Sequence, residues 1–288
     1  TGETGFDMLS LDDEGYFSIE ETDGNVDSDE NVYFDMYSDM STTDPGVYTV
    51  NFSVSSTAET EPFEESSNNL QTREFEITEN MYSIDGIGVY SNADISRMGT
   101  NSFTDGSDGF MMMTYYKLDQ SQNIAGVEIL LDTYADFEEA ISSAGGEIVV
   151  SLRYEEDVNS EDENFTFAAS AMVSGSESDF YMLTPNDIEN GVVNIMWDTP
   201  IWLQSGGYYV CVEMFSNSND NDISILDDET VPQPGMASVI YLPNDPDGDG
   251  LYSNGTAAAI RMMMGEGGTS DVKEDALQTV SVYPNPSN

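Results

Sequence analysis

Hydrophobic positions along this chain recur at every second residue far more often than at every third or fourth. Over 46–54, Tyr48, Val50, Phe52 and Val54 alternate with small or polar residues, the pattern of a strand with one buried face, and Asp44, Pro45 and Gly46 before them make a turn. Alternation returns at 73–78, with shorter strand candidates at 15–20 and 31–35, all separated by acidic, glycine- or serine-rich stretches. Residues 1–80 therefore predict a small, truncated β-sandwich.

A second unit is expected over 81–265, with strand candidates at 109–118, 124–131, 147–154, 165–172, 191–197, 207–215, 237–242 and 257–264. Eight strands in one stretch predict a two-sheet, jelly-roll-like sandwich. Some of them, above all 207–215, are apolar at both parities, as central strands are when one face meets the core and the other meets a loop or neighbour. Helix is scarce: 136–141 has room for a turn or two. At 184–188 a threonine N-cap, a proline at the first helical position and an acidic third residue predict a short helix that ends at Asn190 and Gly191. The expected fold class is all-β, two tandem sandwich modules followed by a flexible linker over 266–279. The 46–54 stretch also resembles a late strand of immunoglobulin-like modules, which implies that fold for the first unit.

Composition narrows the function. The 288 residues are 39% hydrophobic, enough for a substantial core, yet only six are basic against 56 acidic, a formal charge of −50. That field repels phosphate backbones and anionic lipid, and Arg73, Arg97, Lys117, Arg153, Arg261 and Lys273 are scattered, so nucleic acid is not an expected partner. No window is long and apolar enough to predict a transmembrane segment. Thr1 opens neither a signal peptide nor an initiator start, so the chain reads as a piece of a longer one.

Catalytic chemistry is sparse in this composition. There is no histidine, the commonest general base and zinc ligand, and the single cysteine, Cys211, lies in an apolar run that predicts a small buried side chain. With 56 acids, accidental carboxylate pairs are guaranteed and solvated acidic surface is the default. The chain is therefore expected not to be an enzyme. Trp197 and Trp202 flank Asp198, Thr199 and Pro200 and are candidates for a sugar-stacking platform, against the plainer reading of core or rim packing. Asp245, Asp247 and Asp249 alternate, with Gly250 at the sixth place of a calcium loop; the twelfth place is Thr256, so any ligand completing the shell must come from elsewhere. An acidic surface turn is the alternative.

The most specific signal is terminal. Val282, Tyr283, Pro284, Asn285 and Pro286 follow the linker, and this VYPNP run, within 280–288, resembles the opening of the type A sorting domain of type IX secretion cargo. The segments 222–242 and 251–261 are similar to sandwich modules that precede such domains. The resemblance implies recognition by the type IX secretion machinery, export, and location outside the cell or on the outer-membrane surface. Two functions follow as expectations: a structural or adhesive surface protein contacting surface polysaccharide or other surface proteins, or the carbohydrate-binding accessory module of an exported polysaccharide-degrading enzyme.

Overall fold

The computed structural model of the chain describes residues 4–5, 38–39, 45–53, 55–56, 70–89, 94–102, 108–132, 141–155, 172–233, 235–243, 250–265 and 279–280. Two compact units emerge, one built on Gly46–Ile77 and the other on Thr78–Thr279. In the first, β1 (Gly46–Ser53) and β2 (Leu70–Ile77) form an antiparallel ladder running from Gly46 opposite Ile77 to Ser53 opposite Leu70. Tyr48 and Phe75 are direct partners in it, and their rings stack at 5.7 Å. Cross-strand aromatic pairs of this kind fix register. The strand candidates at 15–20 and 31–35 lie outside the described residues.

The second unit is a β-sandwich. Its strands are β3 (Met81–Tyr82), β4 (Ile95–Gly99), β5 (Phe110–Leu118), β6 (Gln122–Leu130), β7 (Glu147–Tyr154), β8 (Tyr181–Met182), β9 (Val192–Leu203), β10 (Gly206–Phe215), β11 (Ser224–Asp228), β12 (Ser238–Tyr241), β13 (Leu251–Ser253), β14 (Ala257–Ala258) and β15 (Ile260–Met264). One sheet has the order β8-β7-β10-β5-β12-β13 and a second the order β9-β6-β15-β3; β14-β11-β4 form a three-stranded ladder. That ladder continues the second sheet. Ala259 accepts from Leu130 N and donates to Leu226 O, and Leu131 bridges Ile225, so the 257–264 strand pairs with β11 at its start and with β6 at its end. All of the pairing between these strands is antiparallel.

Between the sheets, Phe110, Met112, Tyr116 and Leu118 from β5 meet Ile124, Val127 and Ile129 from β6, with Val210, Val212 and Met214 from β10. Alternate positions of β5 and β10 supply these contacts, as a period of two requires, while on β6 the parity shifts between Ile124 and Val127. Seven of the eight strand candidates match described strands, although 257–264 divides at Ala259 and β9 runs on well past 197. The candidate at 165–172 and the helical candidate at 136–141 lie almost wholly outside the described residues. The helix predicted after Thr184 is α1 (Pro185–Asn190): Thr184 Oγ1 and the Asp187 carboxylate close a capping box, and Gly191 takes the left-handed conformation at φ 67°.

β4 and β11 carry no alternating signal. Ser-Ile-Leu-Asp-Asp reads as the edge of an acidic loop, yet all five residues of β11 are buried. Local hydrogen bonding accounts for the second aspartate: Asp228 accepts from Gly86 N at 2.8 Å, Thr230 N at 2.9 Å and Thr230 Oγ1 at 2.6 Å.

Candidate aromatic groove at the sandwich edge

β9 is the edge strand of its sheet, and it is irregular in its middle. Met196 pairs with Gly126 and Ile201 with Ile124, so Trp197, Asp198, Thr199 and Pro200 together face Ala125 alone. Such a loop-out forces close approach beside it: a Cβ on Gly126 would stand 2.4 Å from Ile195 O, so only glycine fits there. On either side of the bulge the strand keeps its parity. Val193, Ile195 and Leu203 point into the core, while Asn194, Met196 and Trp202 point out.

The facing wall is the segment 173–181, which runs along β7 and completes its ladder partly with serine hydroxyls. Val173 N donates to Leu152 O at 2.8 Å and Ser178 N to Val150 O at 2.9 Å. In return Ser176 Oγ accepts from Leu152 N at 3.0 Å and Ser178 Oγ from Val150 N at 2.9 Å. Trp197 ties the two walls together. Its ring packs against the core and its Nε1 donates to Ser176 O at 2.8 Å. At the far end Tyr181 OH donates to the Asp187 carboxylate at 3.0 Å, joining the wall to α1.

Between these walls lies an open groove of about 940 Å³. Both tryptophans of the chain line it, with Tyr154, Phe180 and Tyr181. Trp202 is 60% and Phe180 62% exposed along the groove. Phe180 leans on Phe215 at 5.3 Å and Tyr154 on Tyr208 at 5.8 Å, which hold those rings in place while leaving one side of each open. The polar lining is Asn194, Thr199, Ser174 and Ser178 with the exposed carboxylates Glu177, Asp179 and Asp198. Among the described residues no lysine or arginine lines it.

The two tryptophans singled out in sequence thus meet at one groove with unequal roles, Trp197 as a fixed wall and Trp202 as an exposed ring. Sequence reasoning missed Phe180 and Tyr154. Phe180, Tyr181 and Met182 form an apolar triplet directly after Ser176, Glu177, Ser178 and Asp179, too short to show a period, and Tyr154 ends a strand whose other residues are buried through Arg153. Asp245, Asp247 and Asp249 lie outside the described residues, as do Val282, Tyr283, Pro284, Asn285 and Pro286. Among the described residues no three His, Cys, Asp or Glu side chains form a metal-binding group, and no helix is long and apolar enough to cross a membrane.

Other polar groups of the second unit hold the fold together. Arg261 donates to both oxygens of Asp85, at 2.9 and 2.6 Å, to Glu128 at 3.1 Å and to Ile87 O at 2.8 Å, which straps 85–87 to β15 and β6. Arg97 donates to Asp132 at 2.8 Å, whose other oxygen accepts from Ser142 N at 2.9 Å. Cys211 is fully buried, and burial pushes its thiol up to about 12, with Arg153 and Ser151 opposing weakly. A thiol held in that state is not a nucleophile near neutral pH.

No family model matches the chain, and no curated protein matches it in sequence. Its function is therefore argued from its own residues.

Proposed function

We propose that the second unit is a non-catalytic binding module of an exported surface or extracellular protein, and that its groove holds a neutral polysaccharide chain. The observation that carries this reading is the exposure of Trp202 and Phe180 across an open groove rimmed with hydroxyl, amide and carboxylate groups. Sugar rings present apolar faces of C–H groups and hydroxyl edges, so flat aromatic rings and a polar rim match both surfaces at once. Absence of any basic residue from the described lining disfavours uronate or sulfated polymers. Addition of a peptide strand to the edge of β9 is also disfavoured, because the bulge at 197–200 breaks the edge and Pro200 has no N–H to offer.

The non-catalytic part of the reading is supported by the missing histidine and by the buried thiol. The groove carboxylates Glu177, Asp179 and Asp198 stand in open solvent, whereas glycoside cleavage draws on a buried carboxylic acid. Export by the type IX system is supported by the VYPNP terminus and the linker before it. A groove with exposed rings moves the carbohydrate-binding reading ahead of a purely structural or adhesive one.

Affinity electrophoresis of the full chain against neutral, amino-sugar and uronate polysaccharides tests the proposal. Retardation by at least one neutral polymer is expected, together with a loss of roughly tenfold or more in affinity on Trp202→Ala, since a central aromatic anchor contributes on the order of 2 kcal/mol. Binding that persists unchanged in Trp202→Ala, or retardation by uronate polymers alone, would remove the groove from the reading.

A further inference from the structure

Inside the second sandwich, away from the groove, three elements bring oxygen atoms together where the core is otherwise apolar. On β5, Thr114 shares the inward parity of Met112 and Tyr116; on β12, Ser238 shares that of Ile240; on β11, Asp227 shares that of Ile225. Thr114 and Ser238 are direct ladder partners, and both are fully buried. Asn254 joins β11 to β12, the strand whose Ser238 is the ladder partner of Thr114. Its Nδ2 lies 2.7 Å from Asp227 Oδ2, 3.2 Å from Ser238 Oγ, and 3.2 Å from both Thr256 O and Thr256 Oγ1. Thr256 Oγ1 donates to Asp227 Oδ2 at 2.8 Å.

This cluster is short of positive charge and of donors. Asp227 Oδ1, Asn254 Oδ1 and Thr114 Oγ1 are buried and have no hydrogen-bond partner. Asp227 is 2% exposed, and its charged neighbours are the carboxylates of Asp228 and Glu229. Burial pushes its carboxyl up; the hydrogen bonds from Asn254 and Thr256 to Oδ2 oppose the rise, and Glu229 and Asp228 add to it. Two acceptor oxygens and a hydroxyl left unmatched on neighbouring elements of the interior are costly unless something positive meets them.

We propose that Asp227, Asn254 and Thr114 bind a hard monovalent cation of sodium's kind, with Asp227 Oδ1, Asn254 Oδ1 and Thr114 Oγ1 as its protein ligands. Oxygen donors alone select a hard ion. A single carboxylate among neutral oxygens balances one positive charge, and a sheet-to-sheet position makes the ion a clamp between β5, β11 and the 250–256 turn. None of its ligands belongs to the Asp245, Asp247 and Asp249 stretch, whose three carboxylates ask for a divalent ion.

Thermal melting of the full chain tests this, with Asp245, Asp247 and Asp249 all replaced by asparagine and EDTA present, in sodium chloride and in choline chloride of equal ionic strength. Sodium is expected to raise the melting temperature by several degrees over choline. Asp227→Asn, which keeps the shape and removes the charge, should melt as high as the parent in choline and lose the sodium increment. Thr114→Val should keep the fold and shrink that increment. Crystals soaked in thallium should show an anomalous peak among the three oxygens. Equal melting in the two salts overturns the proposal, as does a sodium increment that survives Asp227→Asn. A melting temperature that climbs equally in both salts on acidification assigns a proton to Asp227 instead and also overturns it. If Thr114→Val is stabilised by the same amount in sodium and in choline, the pocket holds no ion.

Discussion

The outer face of the six-stranded sheet and the outer face of β9 are built from similar residues and meet opposite surroundings. On the first, Met113, Tyr209, Cys211 and Val239 are all but fully buried, with Tyr115, Met236, Tyr241 and Leu251 packed against them. On the second, Met196 is 53% and Trp202 60% exposed. The sheet that is covered twice has spent its apolar surface on stability, and the strand that is covered once keeps apolar surface in water. Large side chains left in water at one edge, where the same fold buries their counterparts elsewhere, are what the proposed binding role rests on. That contrast is what directs a functional reading to the groove rather than to the acidic surface.

Reactivity of Cys211 offers the largest test of the contrast. With the outer layer in place, a thiol-specific reagent should label the native chain at least about a thousandfold more slowly than the denatured chain, since access waits on opening and native domains are stabilised by several kcal/mol. Time courses at increasing denaturant measure this. Prompt labelling under native conditions would show that the outer layer opens easily and that the two faces differ little.

A matched pair of truncations comes next in size. Met113→Ala on the covered face should cost about 2–5 kcal/mol in denaturant melts, the range for a buried methionine. Met196→Ala, on the open strand, should change stability by no more than about 0.5 kcal/mol. Similar costs at the two positions would break the comparison.

Much of this difference is legible in the sequence, and the rest is hidden for identifiable reasons. Residues 207–215 are apolar at both parities and predict a covered strand, and the structure buries β10 accordingly, Tyr209 and Cys211 outward and Val210 and Val212 inward. Trp197 and Trp202 stand out because the chain has only two tryptophans. Their unequal roles do not, because the bulge that separates them depends on Gly126 and Ala125 of β6, about 70 residues away in sequence and beyond any local period. β11 escapes for a different reason: its aspartates are buried by partners at 86, 254 and 256, and a carboxylate reads as surface until those partners are known.

The smallest effect concerns Glu213, the acidic member of the covered face. Its parity is that of Tyr209 and Cys211, and it sits opposite Val149 on β7 and Met111 on β5. Burial raises its carboxyl above the usual range; Arg153 opposes the rise and Glu177 adds to it. An acid whose folded value lies above its unfolded value, about 4.3 for glutamate, binds more protons when folded, so stability falls as pH climbs through the interval between the two. Glu213 therefore costs stability at neutral pH and nothing below the unfolded value. Glu213→Gln should leave melting unchanged at about pH 3.5, raise it slightly at pH 7, and flatten the parent's decline between them. A Glu213→Gln chain that melts lower than the parent at pH 7 would show instead that the carboxylate is held there by its attraction to Arg153, and that the covered face tolerates a paired charge within its apolar layer.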